Sequence, residues 1–307
     1  MTKLFIVESP NKIQTVKKYL PKGWEVGASV GHTYMLPNKN YVNYKTYDLN
    51  YVPDPKKKDA LQSLIKLAEK CDEIYIATDD DQEGSVIGYH VYQHLFKKFK
   101  GKKYFRVCLK EITKTGIENG LKNILPINDP KEYARVQAGF LRRIEDRWVG
   151  YRLSPLANIY IQSSTSAGRV QSPALRLICE REVEIENFQP KIYFDLFAEV
   201  FPTGTKDVFK AKYVNEVLDE KVAKGIVTAC KGQVPTITKL NKKQTKSNPP
   251  APFVSKTIAS TAATVLGWKS KKTSAVAQML FQAGHITYIR TDNPVISADA
   301  QKMLKDY

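Results

Sequence analysis

Hydrophobic and polar positions in the first third of the chain predict strands that alternate with helices. The run LFIVES is a short apolar segment, and Ile13, Val16 and Leu20 recur at helical spacing in the NKIQTVKKYL that follows. The order repeats where the helical DALQSLIKLAEK leads into the buried strand pattern DEIYIAT and then into the helical SVIGYHVYQHLF. This alternation predicts a parallel α/β sheet, with functional groups at the carboxyl ends of its strands.

The pattern changes along the rest of the chain. The segment NKNYVNYKTYDLNYVPDPKKK lacks periodicity and predicts an extended surface loop. Helical periodicity returns on both sides of SSTSAGR, short β-like runs such as YFDLFAEVF and TITKL follow, and helices resume after SNPPAP. We therefore expect four parts: an α/β domain over 1–125, a helical domain over 126–190, a small β-rich domain over 191–250 and a second helical domain over 251–307.

Composition narrows the class of protein. The 307 residues are 42% hydrophobic, which is enough for several compact units, and the apolar runs are shorter than the roughly 18 residues of a membrane span. The four cysteines lie far apart, so the spacing predicts neither a zinc site nor a disulfide framework. A net charge of +17 favours a polyanionic partner. We expect a monomeric cytoplasmic protein without a membrane partner.

An acidic cluster is the sharpest local signal. Asp79, Asp81 and Glu83 alternate in TDDDQEG, directly after a predicted buried strand and before a helix. Glu8, at the end of the first predicted strand, should reach the same edge of the sheet. Because carboxylates at this density repel one another, the pattern predicts an oxygen-seeking cation such as Mg²⁺. Lys12, in the first turn of the following helix, could meet a phosphate there.

These segments resemble a known domain. VESPNKI and TDDDQEG together resemble the Toprim domain of topoisomerases, primases and some nucleases, which implies a magnesium-dependent phosphoryl-transfer site. Three later segments decide among these classes: LRRIEDRWVGYRLSP, SAGRVQSPALRLICEREVEIENFQP and FQAGHITYIRTDN. Each resembles a signature of the type IA DNA topoisomerases, and the opening VESPNKI resembles the bacterial topoisomerase I branch.

The resemblance implies a set of DNA-binding residues. Arg142 and Asp146, four apart on one predicted helical face, match positions that line the DNA-binding groove, although an ordinary i,i+4 ion pair would give the same spacing. SAGRVQS matches a loop that holds the single strand, since small residues allow close backbone approach and polar ones bond phosphate or sugar. The residues implied by this matching are Arg142, Asp146, Ser166, Arg169, Gln171, His32, Thr291 and Asp292.

The segment GHITYIRTDN supplies the candidate nucleophile. Tyr288 and Arg290 alternate with Ile289, so in an extended backbone their side chains face the same way. A cation beside a phenol stabilises both the phenolate and the transition state of phosphoryl transfer. Read residue by residue, the resemblance implies that Tyr288 is the nucleophile and Arg290 its cationic assistant.

The implied reaction is strand cleavage without ATP. Tyr288 would attack a phosphodiester of DNA to give a 5′-phosphotyrosyl link and a free 3′-hydroxyl, and Glu8 would protonate the leaving oxygen. Lys12 and Arg290 would hold the phosphate, while Mg²⁺ on Asp79, Asp81 and Glu83 would organise rejoining. Passage of the other strand through the gap would relax negatively supercoiled DNA.

Two features depart from the family pattern. The usual TDPDREG is TDDDQEG here, so Asp80 replaces a proline and Gln82 an arginine. Family members also continue well past the tyrosine, and we expect a truncated frame or a fragment that does not close the ring by itself. Two alternatives stay open: a Toprim nuclease or primase-like protein that has no use for Tyr288, and a DNA-binding remnant.

Overall fold

A computed structural model describes residues 2–201, 204, 207–296, 301–302 and 304–305. The strands in this part of the chain are β1 (Lys3–Val7), β2 (Trp24–Ala28), β3 (Tyr34–Met35), β4 (Val52–Pro53), β5 (Glu73–Ala77), β6 (Lys103–Arg106), β7 (Leu125–Pro126), β8 (Phe197–Val200) and β9 (Phe209–Lys212). The helices are α1 (Ile13–Tyr19), α2 (Lys58–Glu69), α3 (Gln82–Phe96), α4 (Lys114–Lys122), α5 (Pro130–Ile161), α6 (Gln171–Glu186), α7 (Glu220–Cys230), α8 (Ser255–Leu266) and α9 (Ser270–Gln282).

The first sheet has five strands in the order β2-β1-β5-β6-β7. The pairs β1–β2, β1–β5 and β5–β6 are parallel, and the edge strand β7 pairs antiparallel with β6. Helices connect the parallel strands, as the alternating pattern of the sequence predicted. The predicted α/β Toprim fold with a parallel sheet is therefore confirmed.

Neighbouring residues of a strand point to opposite faces of the sheet, and in this sheet both faces are buried. From β1, Phe5 and Val7 join one cluster with Phe281 of α9. Leu4 and Ile6 join the other cluster, with side chains of α2 and α3. The apolar strands that the sequence suggested are thus covered on both sides, and their carboxyl ends carry the polar loops of the candidate site.

Side chains at the helix starts explain why several helices begin where they do. The Asp81 carboxylate accepts a hydrogen bond from the Gly84 amide at the start of α3, and Thr113 does the same for the Gly116 amide in α4. Asp129 accepts from two amides at the start of α5, directly before Pro130. An oxygen at this position satisfies amides that have no partner within the helix, which fixes the first turn.

The chain divides into two compact units, residues 1–169 with 250–307 and residues 170–249. The first unit contains the five-stranded sheet, α1 to α5, α8 and α9. The second contains α6, the antiparallel pair β8–β9 and α7. The four-part division expected from the sequence stays a prediction.

Two sequence predictions about local structure need correction. Residues 236–240, the run TITKL, form no strand, and α7 lies in the region expected to be β-rich. The surface loop between β3 and α2 also buries more than expected, since Tyr41 and Val42 form a small cluster with Leu36 and Trp148 packs against it. Among the described residues, no helix is both long and apolar enough to cross a membrane.

Candidate active site

Hydrogen bonds from side chains to backbone carbonyls hold the acidic loop after β5 in place. The Thr78 hydroxyl donates to the Gly84 carbonyl at 2.6 Å, and a Cβ at Gly84 would collide with the Asp79 carbonyl oxygen. From β6, the buried Arg106 guanidinium donates to the carbonyls of Thr78 at 2.7 Å and Asp79 at 3.0 Å. A turn this tight therefore needs glycine at position 84, and Arg106 fixes the direction in which the loop leaves the sheet.

A different part of the chain carries Tyr288 to this loop. After α9 the chain turns at Gly284, which has a φ of 83°, and the Tyr288 amide donates to the Lys110 carbonyl at 3.0 Å. The Tyr288 ring packs edge-on against Phe281, with 5.1 Å between centroids. At the start of α8, the Ser255 hydroxyl donates to the Ile289 carbonyl at 2.8 Å. These contacts fix the backbone on both sides of the tyrosine.

Tyr288 and Arg290 meet at one carboxylate oxygen. The Tyr288 hydroxyl donates to Oδ2 of Asp81 at 2.5 Å, and the Arg290 guanidinium donates to the same oxygen at 2.9 Å. Burial opposes ionisation of Asp81, but the hydrogen bonds from Tyr288 and the Gly84 amide lower its pKa below the ordinary value. Asp81 is therefore a carboxylate that orients both the phenol and the guanidinium.

The phenol of Tyr288 is kept protonated by its surroundings. Burial raises the pKa of Tyr288, and the hydrogen bond to Asp81 raises it further, while Arg290 works in the opposite direction. Ionisation of Tyr288 thus needs either a base or a change in the charges around the hydroxyl.

Glu8 lies in the same cavity as the tyrosine. The cavity of about 390 Å³ is lined by Glu8, Asp79, Asp81, Tyr288 and Arg290, together with side chains from α8 and α9. Burial raises the pKa of Glu8 above its ordinary value, and the charge of Asp79 adds to the effect. A carboxyl group with a raised pKa keeps its proton to a higher pH than an ordinary glutamate, which favours a role as the acid that protonates a leaving oxygen.

Lys12 does not line this cavity; it is buried against the acidic loop and lines a neighbouring pocket that also contains Glu8 and Asp79. Its Nζ pairs with Oδ1 of Asp79 and lies 4.8 Å from the centroid of the Phe281 ring. A lysine that is 3% exposed needs such a partner, because an unpaired ammonium loses its hydration on burial. Lys12 therefore neutralises one of the carboxylates that the sequence assigned to a cation.

Glu83 faces a different set of partners. Its Oε2 lies 2.7 Å from Nε2 of His32 and 3.3 Å from a terminal nitrogen of Arg143. The hydrogen bond with His32, with the nearby arginines, lowers the pKa of Glu83 to about 2. Glu83 and His32 are thus in contact with each other, and Glu83 is not among the residues that line the 390 Å³ cavity.

The predicted groove residues of α5 form an ion-pair cluster. Arg142 and Asp146 lie 3.9 Å apart, and Arg169 lies 3.1 Å from Asp146 and 3.3 Å from Glu145. All of these side chains are substantially exposed, so each pair contributes little to stability. The cluster instead holds two guanidinium groups at the surface, where a phosphate could replace the carboxylates.

The remaining predicted DNA-binding residues of this part of the chain lie in connecting segments or at the start of a helix. Ser166 is an exposed residue of the segment after α5, and Gln171 is the first residue of α6. The Thr291 amide donates to the Ser255 hydroxyl at 3.0 Å, so Thr291 helps to anchor the Tyr288 segment to α8. Asp292 is exposed directly after it.

One group of three side chains meets the geometric requirement for a metal ion among the described residues. Ligand atoms of Asp80, Cys108 and Glu132 all lie within 4.8 Å of one another. The two carboxylates already have cationic partners, since Arg135 pairs with Asp80 at 2.6 Å and Arg106 with Glu132 at 3.0 Å. A metal ion at this position would have to compete with both guanidinium groups.

Sequence reasoning missed three residues that shape the site. Arg106 fixes the acidic loop, Arg143 pairs with Glu83, and Ser255 holds the backbone around the tyrosine. An arginine at the end of an apolar strand run, as in YFRV, is a signal that could have drawn attention to Arg106. The other two depend on contacts between distant segments, and no local pattern announces them.

The chain is similar to known proteins in both sequence and fold. A family model described as DNA topoisomerase matches residues 130–307, and one described as Toprim domain matches residues 3–112. The chain belongs to the DNA topoisomerase family. This confirms the resemblance to type IA enzymes that the sequence motifs indicated.

Relatives in bacteria cover the chain from end to end. DNA topoisomerase 1 of Helicobacter pylori is 38% identical over 100% of this chain and 44% of its own length. DNA topoisomerase 1 of Aquifex aeolicus is 36% identical over 99% of this chain and 55% of its own length. Full-length topoisomerase I from Thermotoga maritima superposes with a TM-score of 0.79 at 32% identity, covering 99% of this chain and 52% of that one. The chain thus spans about half the length of these topoisomerases.

Proposed function

We propose that this chain carries the cleavage and rejoining centre of a type IA DNA topoisomerase, which relaxes negatively supercoiled DNA without ATP. The observation that supports this most directly is the shared Asp81 oxygen, which receives hydrogen bonds from both Tyr288 and Arg290. Tyr288, Arg290 and Glu8, whose pKa is raised, line one cavity and offer a nucleophile, a cation and an acid for transesterification of a phosphodiester.

The cleavage step follows from these positions. The Tyr288 oxygen attacks the phosphorus of a DNA phosphodiester and loses its proton along the hydrogen bond to Asp81. The bond from phosphorus to the 3′-oxygen breaks, and Glu8 gives its proton to that oxygen. The products are a 5′-phosphotyrosyl link and a free 3′-hydroxyl, so the energy of the phosphodiester is kept in the new ester. Reversal of the same proton movements rejoins the strand.

The carboxylates of the site have the chemistry of magnesium ligands, but as placed they do not form a three-residue group within 4.8 Å as Asp80, Cys108 and Glu132 do. Glu8, Asp79 and Asp81 line one cavity and offer oxygen ligands, the type that Mg²⁺ prefers. We propose that Asp79 and Asp81 hold the ion with Glu83, and that Glu8 joins them once it has given up its proton. Lys12 pairs with Asp79, and His32 and Arg143 contact Glu83, so the ion would compete with these cations. When bound, Mg²⁺ would stabilise negative charge on the phosphate. Lys12 and Arg290 supply the positive charge that the protein itself contributes.

DNA is the proposed partner, engaged as a single-stranded segment. The net charge of +17 favours a polyanion, and the exposed Arg142 and Arg169 could each bind a phosphate in place of a carboxylate. We also assign Asp146, Ser166, Gln171, His32, Thr291 and Asp292 to the DNA-binding surface. The proposed setting is a monomer in the bacterial cytoplasm, associated with the nucleoid.

A labelled oligonucleotide tests the proposed reaction. The parent protein and Tyr288→Phe would be incubated with single-stranded DNA labelled at either end and stopped with denaturant. We expect a covalent adduct that keeps the DNA downstream of the cut in the parent protein and disappears in Tyr288→Phe. The phenylalanine keeps the ring contact with Phe281 but has no nucleophilic oxygen.

Other outcomes would support other functions. Metal-dependent cutting that survives in Tyr288→Phe would overturn the tyrosine mechanism and indicate a Toprim nuclease. DNA binding without any adduct would indicate a DNA-binding remnant. Arg290→Lys provides a graded control, because lysine keeps the charge near Asp81 but not the guanidinium geometry. We expect this variant to form the adduct more slowly than the parent protein.

A further inference from the structure

A group of aromatic rings lies on the loop between β3 and β4 and on the facing part of α5, with three exposed tyrosines around a partly buried tryptophan. We define this aromatic patch as Tyr44, Tyr47, Trp148 and Tyr151. The Tyr44 ring is nearly parallel to Trp148, with centroids 6.3 Å apart and an angle of 8°. Tyr47 meets the same indole edge-on at 5.9 Å. Tyr44 and Tyr47 are each 55% exposed, so much of their ring surface faces solvent.

A buried tyrosine and hydrogen bonds within the loop hold the patch in place. Tyr41 is buried and packs edge-on against Tyr151, with 5.6 Å between centroids. Within the loop, the Asn43 amide donates to the Asp48 carbonyl at 2.8 Å, and the Tyr47 amide donates to the Asn43 carbonyl at 2.7 Å. A loop closed by such bonds presents its rings in fixed positions, which lowers the entropy lost on binding.

Tyr47 adopts a backbone conformation that is unfavourable for its side chain. Its φ is 61°, in the left-handed region where a bulky residue is an outlier. Asparagine or glycine would occupy this position at lower cost, and the surrounding hydrogen bonds have to maintain the strain. Because more than half of the Tyr47 side chain faces solvent, its burial against Trp148 contributes less to folding than a core aromatic would, and the strain points to a role at the surface.

Cationic side chains surround the rings. The Arg147 guanidinium lies 4.9 Å from the centroid of Tyr151, and that of Arg152 lies 5.8 Å from Trp148. Lys45 lies between the two exposed tyrosines in the chain. Aromatic faces interleaved with arginine and lysine are the chemistry by which proteins bind single-stranded nucleic acid, since rings stack on bases while cations meet phosphates.

We propose that the aromatic patch is a stacking platform for unpaired bases of single-stranded DNA. This proposal rests on the proposed function, in which single-stranded DNA is the substrate. Tyr44 and Tyr47 would stack on successive bases, and Arg152 and Lys45 would contact the phosphates between them. Duplex DNA does not fit this chemistry, because its bases are already stacked on one another.

Paired oligonucleotides test the platform. One is a short oligothymidylate, and the other has the same length and charge but lacks bases. We expect Tyr44→Ala and Tyr47→Asn to bind oligothymidylate about ten-fold more weakly than the parent protein, and to bind the abasic strand as the parent does. Tyr47→Asn suits the left-handed backbone, so this variant should fold at least as well as the parent. Tyr19→Ala, at another exposed tyrosine, is the matched control and should change neither affinity.

Three results would overturn the proposal. Unchanged binding of oligothymidylate by both variants would show that the rings do not stack on bases. An equal loss for both strands would show that the variants disturb phosphate contacts or the fold. Tighter binding of oligouridylate than of oligothymidylate through the same rings would assign the platform to RNA.

A direct measurement on the parent protein needs no substitution. Oligonucleotides that carry 5-iodouracil would be irradiated with the protein, and the crosslinked residues identified by mass spectrometry. We expect crosslinks at Tyr44, Tyr47 or Trp148, and crosslinks confined to other aromatic residues would contradict the proposal. The Tyr288 adduct is scored separately, so adduct formation without patch crosslinks refutes the platform alone. Crosslinks without an adduct refute the proposed reaction and leave the platform standing.

Discussion

His90 shows how one buried residue sets the response of the protein to acid. It lies on α3 with its ring 4% exposed, and neither ring nitrogen has a hydrogen-bond partner among the described residues. The rings of Tyr34, Tyr51 and Phe140 surround it at 4.3 to 5.8 Å between centroids. Burial, with a smaller contribution from His32, lowers the pKa of His90 to about 3.

This pKa predicts a loss of stability as the pH falls. The unfolded histidine binds a proton near pH 6.5 whereas the folded one does not until about pH 3, so unfolding takes up a proton between these values. The stabilisation is complete above pH 6.5 and decreases below it, by about 2 kcal/mol at pH 5. The free energy of unfolding would therefore be measured in urea at pH 7 and at pH 5. Between these two values it should fall by less in His90→Leu than in the parent protein.

The neighbouring Tyr89→Phe provides the control for this prediction. It changes a partly buried ring in the same helix but keeps His90, so the difference between pH 7 and pH 5 should equal that of the parent protein. An equal acid loss in His90→Leu would show that other groups cause it.

For the residues around Tyr288, the sequence predicted the chemistry of the site better than its contacts. The alternation of Tyr288 and Arg290 predicted side chains on one side of the backbone, and the structure places both on one oxygen. That this oxygen belongs to Asp81, 207 positions away, depends on the packing of α9 against the sheet. Local periodicity contains no information about such a distant pairing.

Helices α3 and α5 illustrate how two elements are fitted to each other. A Cβ at Gly139 of α5 would lie 2.5 Å from a methyl group of Val86 in α3, and Val86 is buried and stiff at χ1. Gly150 of the same helix has room, since its Cβ would meet nothing closer than 3.7 Å. Gly139 and Gly150 therefore lie in the same helix but differ in the space around them, so one can serve as the control for the other.

Alanine substitutions at these glycines should have opposite effects. Alanine favours a helix interior over glycine by about 1 kcal/mol, so Gly150→Ala should raise the free energy of unfolding by up to that amount. Gly139→Ala should lower it by up to about 2 kcal/mol, because overpacking typically costs about 1–3 kcal/mol and the same propensity gain of about 1 kcal/mol offsets part of that cost. Urea denaturation measures both, and equal stabilisation by the two changes would contradict the close approach of α3 and α5.

Element prediction succeeded where burial and periodicity agreed. The strands β1 and β5 and the helices α2 and α3 follow the pattern, because each has a fully apolar strand or an apolar helical stripe against the sheet. It failed at residues 236–240, which begin with three consecutive β-branched residues but form no strand in the structure. A strand needs a partner to satisfy its backbone, and propensity alone does not supply one.

For the whole molecule, sequence comparison and charge carry most of the functional inference. The chain has 48 lysine and arginine residues against 31 acidic ones, and the family match extends over both the sheet and the later helices. Charge does not show where DNA binds, however, because basic residues occur on both units. The position of the proposed DNA-binding groove rests only on the family resemblance.

Salt dependence can distinguish a groove from a diffuse positive surface. Each lysine or arginine that neutralises a phosphate of single-stranded DNA adds about 0.7 to the slope of log affinity against log salt. If Arg142 binds a phosphate, Arg142→Gln should reduce the magnitude of that slope by about 0.7 and weaken binding of all sequences alike. Fluorescence anisotropy with a labelled oligonucleotide over a salt series measures the slope.

Arg176→Gln is the matched control for the salt series. It removes the same charge from an exposed arginine of α6, where Arg176 pairs with Glu180 at 2.7 Å. A smaller change of slope for Arg176→Gln than for Arg142→Gln would place the phosphate contact on α5. Equal changes would mean that the positive charge acts as a general field, in which case the groove assignment of Arg142 is wrong even though the protein binds DNA.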